Sequence, residues 1–188
     1  MKAVNDAPIV SQPLEDIELL EDSGVATVVL SNVFTDVDGD SLVYDVTIDT
    51  DGIISAEING DTLIISTISN QYGGPVGVIV TANDQQNGAV ASDYFTVTVT
   101  PSNDPPNISG IDDQEINEDG LFLYSIQADD VDGDLLEFTI EEDSSLADIS
   151  ISSNLLSVTP IANFNGDIIV TVTVSDGEFT DSTDFTLR

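Results

Sequence analysis

The stretch QYGGPVGVIVTAND (Gln71–Asp84) returns as NFNGDIIVTVTVSD (Asn163–Asp176), 92 residues further along the chain. In both copies a turn rich in Gly and Asn leads into a run in which apolar residues alternate with small or polar ones. This period of two is typical of a half-buried β-strand, whereas the apolar residues of a helix recur every 3.6 positions. The two stretches therefore predict one strand that the chain makes twice.

Three further motifs repeat in the same order, which indicates tandem structural units. The pairs are VNDAP (Val4–Pro8) with SNDPP (Ser102–Pro106), ELLED (Glu18–Asp22) with EINED (Glu115–Asp119), and DVDGD (Asp36–Asp40) with DVDGD (Asp130–Asp134). Together with the stretch quoted above, the repeated motifs have a spacing that shrinks from 98 to 92 residues along the chain, as small loop deletions in the second copy would produce. We therefore predict two domains, residues 1–101 and 102–188, joined by the proline-containing linker 101–106.

Within each copy, short β-branched and aromatic runs are bounded by Gly, Asn, Asp and Pro. In the first copy these runs are Ile9–Leu19, Ala26–Leu30, Ser41–Ile48, Gly52–Ile58, Thr62–Thr67, Val76–Ala82 and Asp93–Thr100. About seven strands in roughly a hundred residues is typical of an immunoglobulin-like sandwich. The predicted fold class is all-β, with two tandem Greek-key β-sandwiches of about seven strands each.

The charge of the chain limits its partners. It carries 36 acidic residues against two basic ones, Lys2 and Arg188, for a formal net charge of −34, yet 40% of it is apolar. The apolar content argues against disorder. So few basic groups exclude nucleic acid and an anionic membrane surface as partners. Cations are the small partners that this charge favours.

The absence of Cys and His excludes several chemistries. Ser-His-Asp and Cys-His catalysis, disulfides, and zinc held by thiolate or imidazole are not possible. We therefore predict that the chain is not an enzyme; a glycosidase with two catalytic carboxylates stays open as an alternative, although no motif marks a cleft. No apolar run approaches the ~20 residues that span a bilayer, so we expect no direct membrane insertion.

The direction of successive strands predicts where the acids lie. If neighbouring strands alternate in direction, Asn5, Asp6, Asp36, Asp38 and Asp84 meet at one pole of the first copy, and Glu21 and Asp22 lie at the other. In the second copy the corresponding pole carries Asn103, Asp104, Asp130, Asp132 and Asp176, and it would face Glu21 and Asp22 across the linker. Glu118 and Asp119 would lie at the far pole of the second copy, where a following repeat would be needed to complete a site.

Carboxylates crowded in this way need a cation. Two negative charges about 4 Å apart repel by roughly 4 kcal/mol at an effective dielectric constant near 20. Ca²⁺ accepts six to eight oxygen ligands from carboxylates, Asn side chains and backbone, whereas Mg²⁺ demands a stricter octahedron. We therefore predict interdomain calcium, with Glu21 and Asp22 added to the second-copy residues, and an incomplete site at the N-terminal pole. An ordinary solvated Asp-Gly turn is the alternative for a single DVDGD.

The ordered motifs resemble those of tandem bacterial cadherin-like domains, the repeats of large secreted or surface adhesins. VNDAP and SNDPP resemble the cadherin linker, LED and NED its acidic tripeptide, DVDGD its Asp-x-Asp pair, and AND and VSDG its late Asp. The resemblance covers both copies and implies calcium at the junction. The cadherin Leu-Asp-Arg-Glu motif is missing, and Pro101 stands where a further linker acid would be expected, so we expect one or two ions rather than three. It also implies an extracellular or bacterial cell-surface location, as a fragment of a larger secreted protein.

Two binding functions follow from these features. The first is a calcium-rigidified adhesion or extender module, with a cell-surface protein, a polysaccharide or a like domain as its partner. The alternative is a calcium-dependent carbohydrate-binding module of a secreted polysaccharide-degrading protein. Sugar-binding surfaces favour aromatic side chains, and here there is no Trp and only four tyrosines, at positions 44, 72, 94 and 124.

Overall fold

The computed structural model describes residues 4–86, 89–141 and 145–188, so Lys2 lies outside the described residues. The chain divides into two compact units, Met1–Ser102 and Asn103–Arg188, which are called the first and second repeat below. Each repeat has its own buried core of aliphatic and aromatic side chains. The prediction of an all-β chain made of two immunoglobulin-like sandwiches is confirmed.

The first repeat consists of two sheets and a short pair of strands. Its strands are β1 (Ile9–Val10), β2 (Ile17–Leu20), β3 (Val25–Val29), β4 (Phe34–Thr35), β5 (Val43–Ile48), β6 (Ile54–Asn59), β7 (Thr62–Thr67), β8 (Gly73–Asn83) and β9 (Val90–Thr100), with a 3₁₀ turn at Leu30–Asn32. One sheet has the order β2-β9-β8-β5, the other has the order β3-β7-β6, and β1 pairs with β4. Helical structure among the described residues is limited to this turn, and no helix there has the length and apolarity to cross a bilayer.

The second repeat follows the same plan. Its strands are β10 (Asn107–Ile108), β11 (Phe122–Ser125), β12 (Ala128–Asp129), β13 (Glu137–Glu141), β14 (Ala147–Ser152), β15 (Leu155–Pro160), β16 (Ile168–Ser175) and β17 (Thr180–Leu187). The sheets have the orders β13-β16-β17 and β11-β15-β14, and β10 pairs with β12. The segment that corresponds to β2 makes one isolated parallel bridge, Gln114 to Leu187.

The alternation seen in the sequence produces the core. On β8, Val76, Val78, Val80 and Ala82 are buried, because every second side chain of a strand points to the same face. In the second repeat Val170, Val172 and Val174 of β16 are buried in the same way. The β-branched residues that identify these strands in the sequence are thus the ones that hold the two sheets together.

The segment Ile9–Leu19 differs from the prediction of one continuous strand. It forms two separate strands, of which β1 pairs with β4 and β2 runs parallel to β9. Pro13 lies between them, and a proline has no N–H to contribute to a sheet ladder, so the chain leaves one sheet and enters the other at this point.

The strand pairing fixes which ends of the first repeat lie together. Leu20, at the end of β2, pairs with Thr100 at the end of β9. Asn83, at the end of β8, pairs with Val90 at the start of β9 and with Val43 at the start of β5. The loop that precedes β5 and the residue that follows β8 therefore meet at one end of the sandwich, opposite the turn that follows Leu20.

Candidate metal centre

The DVDGD loop of the first repeat folds around the side chain of Asp36. Its Oδ1 accepts hydrogen bonds from the backbone N–H groups of Asp38 (2.8 Å) and Asp40 (3.3 Å). Gly39 has φ +79°, a left-handed conformation that glycine adopts without a steric penalty. The turn brings carboxylate oxygens of Asp36, Asp38 and Asp40 within 4.8 Å of one another.

The second repeat forms the same loop. Asp130 Oδ1 accepts the N–H groups of Asp132 (2.9 Å) and Asp134 (3.2 Å), and Gly133 has φ +80°. Carboxylate oxygens of Asp130, Asp132 and Asp134 again lie within 4.8 Å of one another.

An Asn-Asp pair joins each loop from the segment that opens the repeat. In the first repeat the N–H of Asp6 donates to Asp38 Oδ2 at 2.7 Å, and Asn5 Nδ2 donates to Asp84 Oδ2 at 2.8 Å. In the second repeat the N–H of Asp104 donates to Asp132 Oδ2 at 2.8 Å. The corresponding bond from Asn103 Nδ2 to Asp176 Oδ2 is also 2.8 Å.

Each repeat thus gathers six oxygen-bearing residues at one end. The first-repeat cluster is Asn5, Asp6, Asp36, Asp38, Asp40 and Asp84; the second-repeat cluster is Asn103, Asp104, Asp130, Asp132, Asp134 and Asp176. The sequence analysis predicts five members of each cluster as ligands. It does not include Asp40 and Asp134, although the Asp-x-Asp-x-Asp spacing within one tight turn is a signal for them.

The late aspartate of each cluster accepts hydrogen bonds from the backbone. Asp176 Oδ1 accepts the N–H groups of Glu178 (2.7 Å) and Phe179 (2.6 Å). Burial raises the pKa of Asp176. The hydrogen bonds from these two N–H groups and from the amide of Asn103 lower the pKa by more than burial raises it, so the pKa lies below its ordinary value. Asp84 in the first repeat is 3% exposed and accepts the N–H of Gln86 at 2.7 Å.

The central aspartate of each cluster has one oxygen that is enclosed without a donor. Oδ2 of Asp36 and Oδ2 of Asp130 are buried and have no hydrogen-bond partner among the residues that the structure describes. Leaving a buried charged acceptor unsatisfied is costly, and most such groups in native proteins have a partner. In both repeats the unpartnered oxygen is Oδ2 of the aspartate whose Oδ1 accepts the N–H groups of the loop.

The spacing of the oxygens fits a hard divalent cation. Oxygens that bind one Ca²⁺ at roughly 2.3–2.6 Å cannot be more than about 5 Å apart. The three DVDGD carboxylates of each cluster meet this condition at 4.8 Å. The donor set is wholly oxygen, which suits Ca²⁺ and Mg²⁺ and does not suit metals that prefer sulfur or imidazole.

The remaining predicted ligands lie at the opposite end of their own repeats. Glu21 is 1% exposed and its Oε1 accepts the N–H of Ser102 at 2.7 Å. Asp22 Oδ1 accepts the N–H of Asn70, and Asp119 Oδ1 accepts the N–H of Asn163, each at 3.0 Å. Glu118 is exposed. Metal binding by these four residues, including a contribution of Glu21 and Asp22 to the second-repeat cluster, stays a prediction.

A protein-family comparison matches both repeats. Residues 5–100 and residues 103–188 each match the family model described as "Bacterial Ig domain". A search of curated protein sequences finds no match to the chain.

Several solved structures are similar at low identity. Endo-fucoidan hydrolase MfFcnA4 of glycoside hydrolase family 107 is 19% identical, with a TM-score of 0.44, over 97% of this chain and 29% of the hydrolase. Drosophila N-cadherin EC1-4 is 14% identical, with a TM-score of 0.40, over 100% of this chain and 51% of the cadherin. The titin domains z1z2 in complex with telethonin are 14% identical, with a TM-score of 0.37, over 98% of this chain and 97% of the z1z2 chain. The chain spans less than a third of the hydrolase it matches, and none of these similarities indicates a function.

Proposed function

This chain belongs to the bacterial Ig domain family, and from that premise we propose that it is a calcium-binding tandem module of a bacterial extracellular protein. In this proposal each repeat binds Ca²⁺ at its DVDGD cluster, and the bound ions make the module a rigid extender or adhesion segment. The immunoglobulin-like fold is typical of non-catalytic modules, and we propose a binding role rather than an enzymatic one.

The observation that supports calcium binding most strongly is the enclosed oxygen of Asp36 and of Asp130. A carboxylate oxygen that is shielded from water and lacks a donor requires a positive charge to offset its desolvation. The described residues of the chain contain one basic side chain, that of Arg188, and it pairs with Asp113 and Asp167. A cation from solution is therefore the available partner.

The repetition of the site strengthens this proposal. A single acidic turn is most simply a solvated surface loop. Here each of two loops is joined by an Asn-Asp pair and a late aspartate at the same positions, with matching bonds of 2.7–2.8 Å. Such agreement is expected when the arrangement is retained for a ligand common to both repeats.

The test is calorimetric titration of the full chain with CaCl₂ at constant ionic strength. We expect binding in the range typical of extracellular modules, with Kd roughly 10⁻⁴–10⁻³ M. Asp130→Asn should weaken binding at the second repeat by at least about tenfold, and Asp36→Asn should do the same at the first repeat. MgCl₂ should bind more weakly than CaCl₂ because Mg²⁺ demands octahedral geometry.

Asp148→Asn and Asp45→Asn provide matched controls, since both side chains are exposed on strands and lose the same unit of charge. They should leave the titration unchanged. If these controls weakened binding as much as Asp130→Asn, calcium would be held diffusely by the net charge of −34 rather than at a site, and the proposal would fail.

A carbohydrate-binding function is a second candidate, favoured by one surface feature of the first repeat. Tyr94 on β9 is 58% exposed, and it pairs across the strands with Ile79 of β8, which is 43% exposed. An aromatic ring with a polar hydroxyl can stack on a sugar and form a hydrogen bond to it. Binding to a glycan array that Tyr94→Ala abolishes would support this candidate, and calcium-dependent self-association without glycan binding would support adhesion instead.

A further inference from the structure

The outer face of the sheet β2-β9-β8-β5 in the first repeat carries an aromatic ring and a carboxylate that meet over a glycine. Gly77 of β8 lies between Val76 and Val78, which point into the core, so it belongs to the outer face. A Cβ added to Gly77 would lie 2.9 Å from Tyr94 Cε2 and would also contact Asp49 Oδ2, closer than real Cβ atoms approach. These two side chains cover Gly77, which is buried although it faces outward.

The carboxylate of Asp49 is held in this place by the backbone of Gly77. Asp49 N–H donates to the Gly77 carbonyl at 3.0 Å, and Gly77 N–H donates to Asp49 Oδ1 at 2.9 Å. Asp49 Oδ2 and Tyr94 Cε2 each lie less than 3.0 Å from the same Cβ position, so they are less than about 6 Å apart. A fixed carboxylate oxygen therefore lies beside the aromatic ring.

The surface around this point combines apolar and hydroxyl groups. Tyr94 is 58% exposed and pairs across the strands with Ile79, which is 43% exposed. Ile79 pairs in turn with Thr47 of β5, and Thr96 lies two residues beyond Tyr94 on the same face. The face thus presents an aromatic ring and an aliphatic side chain between two threonines.

In the second repeat the corresponding surface is polar. The pairs Val78–Phe95 and Val170–Phe185 align the two sheets. By this alignment the positions of the exposed apolar residues Val43, Ile79, Val90 and Tyr94 hold Glu137, Thr171, Thr180 and Asp184, and the position of Gly77 holds Ile169. The sheet therefore forms without an aromatic ring over a glycine, and this surface indicates a role particular to the first repeat.

The charges of the face select the ligand. A carboxylate forms strong hydrogen bonds to a protonated amine, and the face of an aromatic ring attracts a cation within about 6 Å. Asp45 lies on the same face of β5, and Asp16 Oδ1 accepts the N–H of Thr96. The described residues of the first repeat include no Lys or Arg, so a sulfated or carboxylated ligand would be repelled.

We propose that this face binds a polysaccharide whose sugar rings carry free amino groups, an inference that rests on the carbohydrate-binding candidate above and names its ligand class. The C–H face of one sugar packs on Tyr94 and Ile79, and its ammonium group pairs with Asp49 Oδ2 beside the ring. The sugar hydroxyls form hydrogen bonds with the flanking threonines. A lysine side chain offers the charge and an apolar stem but no such hydroxyls.

The experiment is calorimetric titration of the full chain with a glucosamine hexamer and with an N-acetylglucosamine hexamer. The two sugars share one backbone and differ in the charge of the amino group at a pH at which free amines are protonated. The CaCl₂ concentration is constant, and the salt concentration screens diffuse attraction. We expect the glucosamine hexamer to bind at least about tenfold more tightly than the acetylated one.

Three variants test the assigned residues. Tyr94→Ala should weaken binding of the glucosamine hexamer by about tenfold, and Tyr94→Leu, which keeps an apolar side chain over Gly77, should weaken it similarly. Asp49→Asn keeps an acceptor for the Gly77 N–H but removes the charge, and it should weaken binding by about fivefold or more. Asp148→Asn is the matched control, since it removes one exposed charge from a strand of the second repeat and should leave the affinity unchanged.

Equal weakening by Asp148→Asn and Asp49→Asn would overturn the proposal, because the amines would then be held by the net charge alone. Hexalysine that bound as tightly, with the same dependence on Tyr94, would overturn it in favour of a protein ligand. Equal, Tyr94-dependent binding of both sugars would overturn the role of the ammonium group but support the carbohydrate-binding candidate. Binding of neither sugar would overturn both. Calcium titration of the same variants should be unchanged, so these failures are distinct from a failure of the calcium proposal.

Discussion

The side-chain amide of Asn103 donates to Asp176 Oδ2 at 2.8 Å, and Asn5 makes the same bond to Asp84 in the first repeat. This contact joins the segment that opens each repeat to the aspartate that follows β16 or β8. It uses the amide nitrogen, so the carbonyl oxygen of the Asn side chain stays available as a ligand. If the proposed calcium site is occupied, the Asn would have two tasks, which are to orient the late aspartate and to supply an oxygen.

The first prediction concerns Asn103. Asn103→Ala should weaken calcium binding at the second repeat by about tenfold, since supporting residues of a metal site contribute 10–100-fold to affinity. Calorimetric titration measures this change. Asn32→Ala serves as a control, because Asn32 is exposed in the 3₁₀ turn and belongs to neither cluster. Undiminished affinity in Asn103→Ala would show that Asp176 needs no orientation by the amide.

The second prediction concerns stability at acid pH. Thr96 N–H donates to Asp16 Oδ1 at 2.7 Å, and this backbone bond, with a further one from the Thr96 side chain, lowers the pKa of Asp16. In the second repeat Thr186 N–H donates to Asp113 Oδ1. This bond, and to a lesser extent the hydrogen bond from the Arg188 side chain, lowers the pKa of Asp113. A carboxyl group whose pKa is lower in the folded state than in the unfolded state stabilises the fold at any pH above its unfolded-state pKa. This stabilisation is lost as the pH falls through the folded-state pKa.

Asp16→Asn should therefore reduce the free energy of unfolding at pH 7 and flatten its decline between about pH 4 and pH 2. Denaturant unfolding at a series of pH values measures both effects. The control is Asp45→Asn, which lowers the net negative charge equally and should be neutral or slightly stabilising in so anionic a chain. Parallel curves for wild type and Asp16→Asn would contradict the assigned role of the Thr96 bond.

The third prediction separates a structural role of Asp119 from a metal-binding one. Asp119 has φ +61°, its Oδ1 accepts the N–H of Asn163, and Asn163 itself has φ +59°. Asp22 and Asn70 repeat this arrangement in the first repeat. Asp119→Ala should destabilise the second repeat by about 1–3 kcal/mol, through the lost bond and the left-handed conformation that Ala disfavours.

Asp119→Asn should retain most of the stability, because Asn tolerates the same conformation and keeps an acceptor oxygen. Thermal unfolding compares the two variants. A large loss in Asp119→Asn would mean that the negative charge, rather than the hydrogen bond, is what this position requires.

The sequence predicted those features that depend on local pattern. Alternating β-branched residues identified the strands, and the alternating direction of those strands brought Asp36 and Asp84 to the same end of the first repeat. Both inferences succeed because the side chains of a strand alternate between its two faces and because successive strands of a sandwich alternate in direction.

Features that depend on a distant partner were not predicted. The division of Ile9–Leu19 into β1 and β2 requires knowledge that β4 and β9 are the two pairing partners, which lie in different sheets. The bond from Asn70 to Asp22 joins residues 48 positions apart and leaves no periodic signal.

The fourth prediction concerns Gly24 in the turn between β2 and β3. A Cβ at this position would lie 2.8 Å from the carbonyl oxygen of Leu20 and 2.8 Å from Thr67 Cγ2, closer than real Cβ atoms approach. Because one of these contacts is backbone, the turn must shift, and Gly24→Ala should destabilise the first repeat by about 1–3 kcal/mol. Gly110→Ala is the matched control, since its added Cβ meets nothing within 4 Å. Urea unfolding followed by circular dichroism measures both, and an unchanged midpoint for Gly24→Ala would show that the turn can relax at little cost.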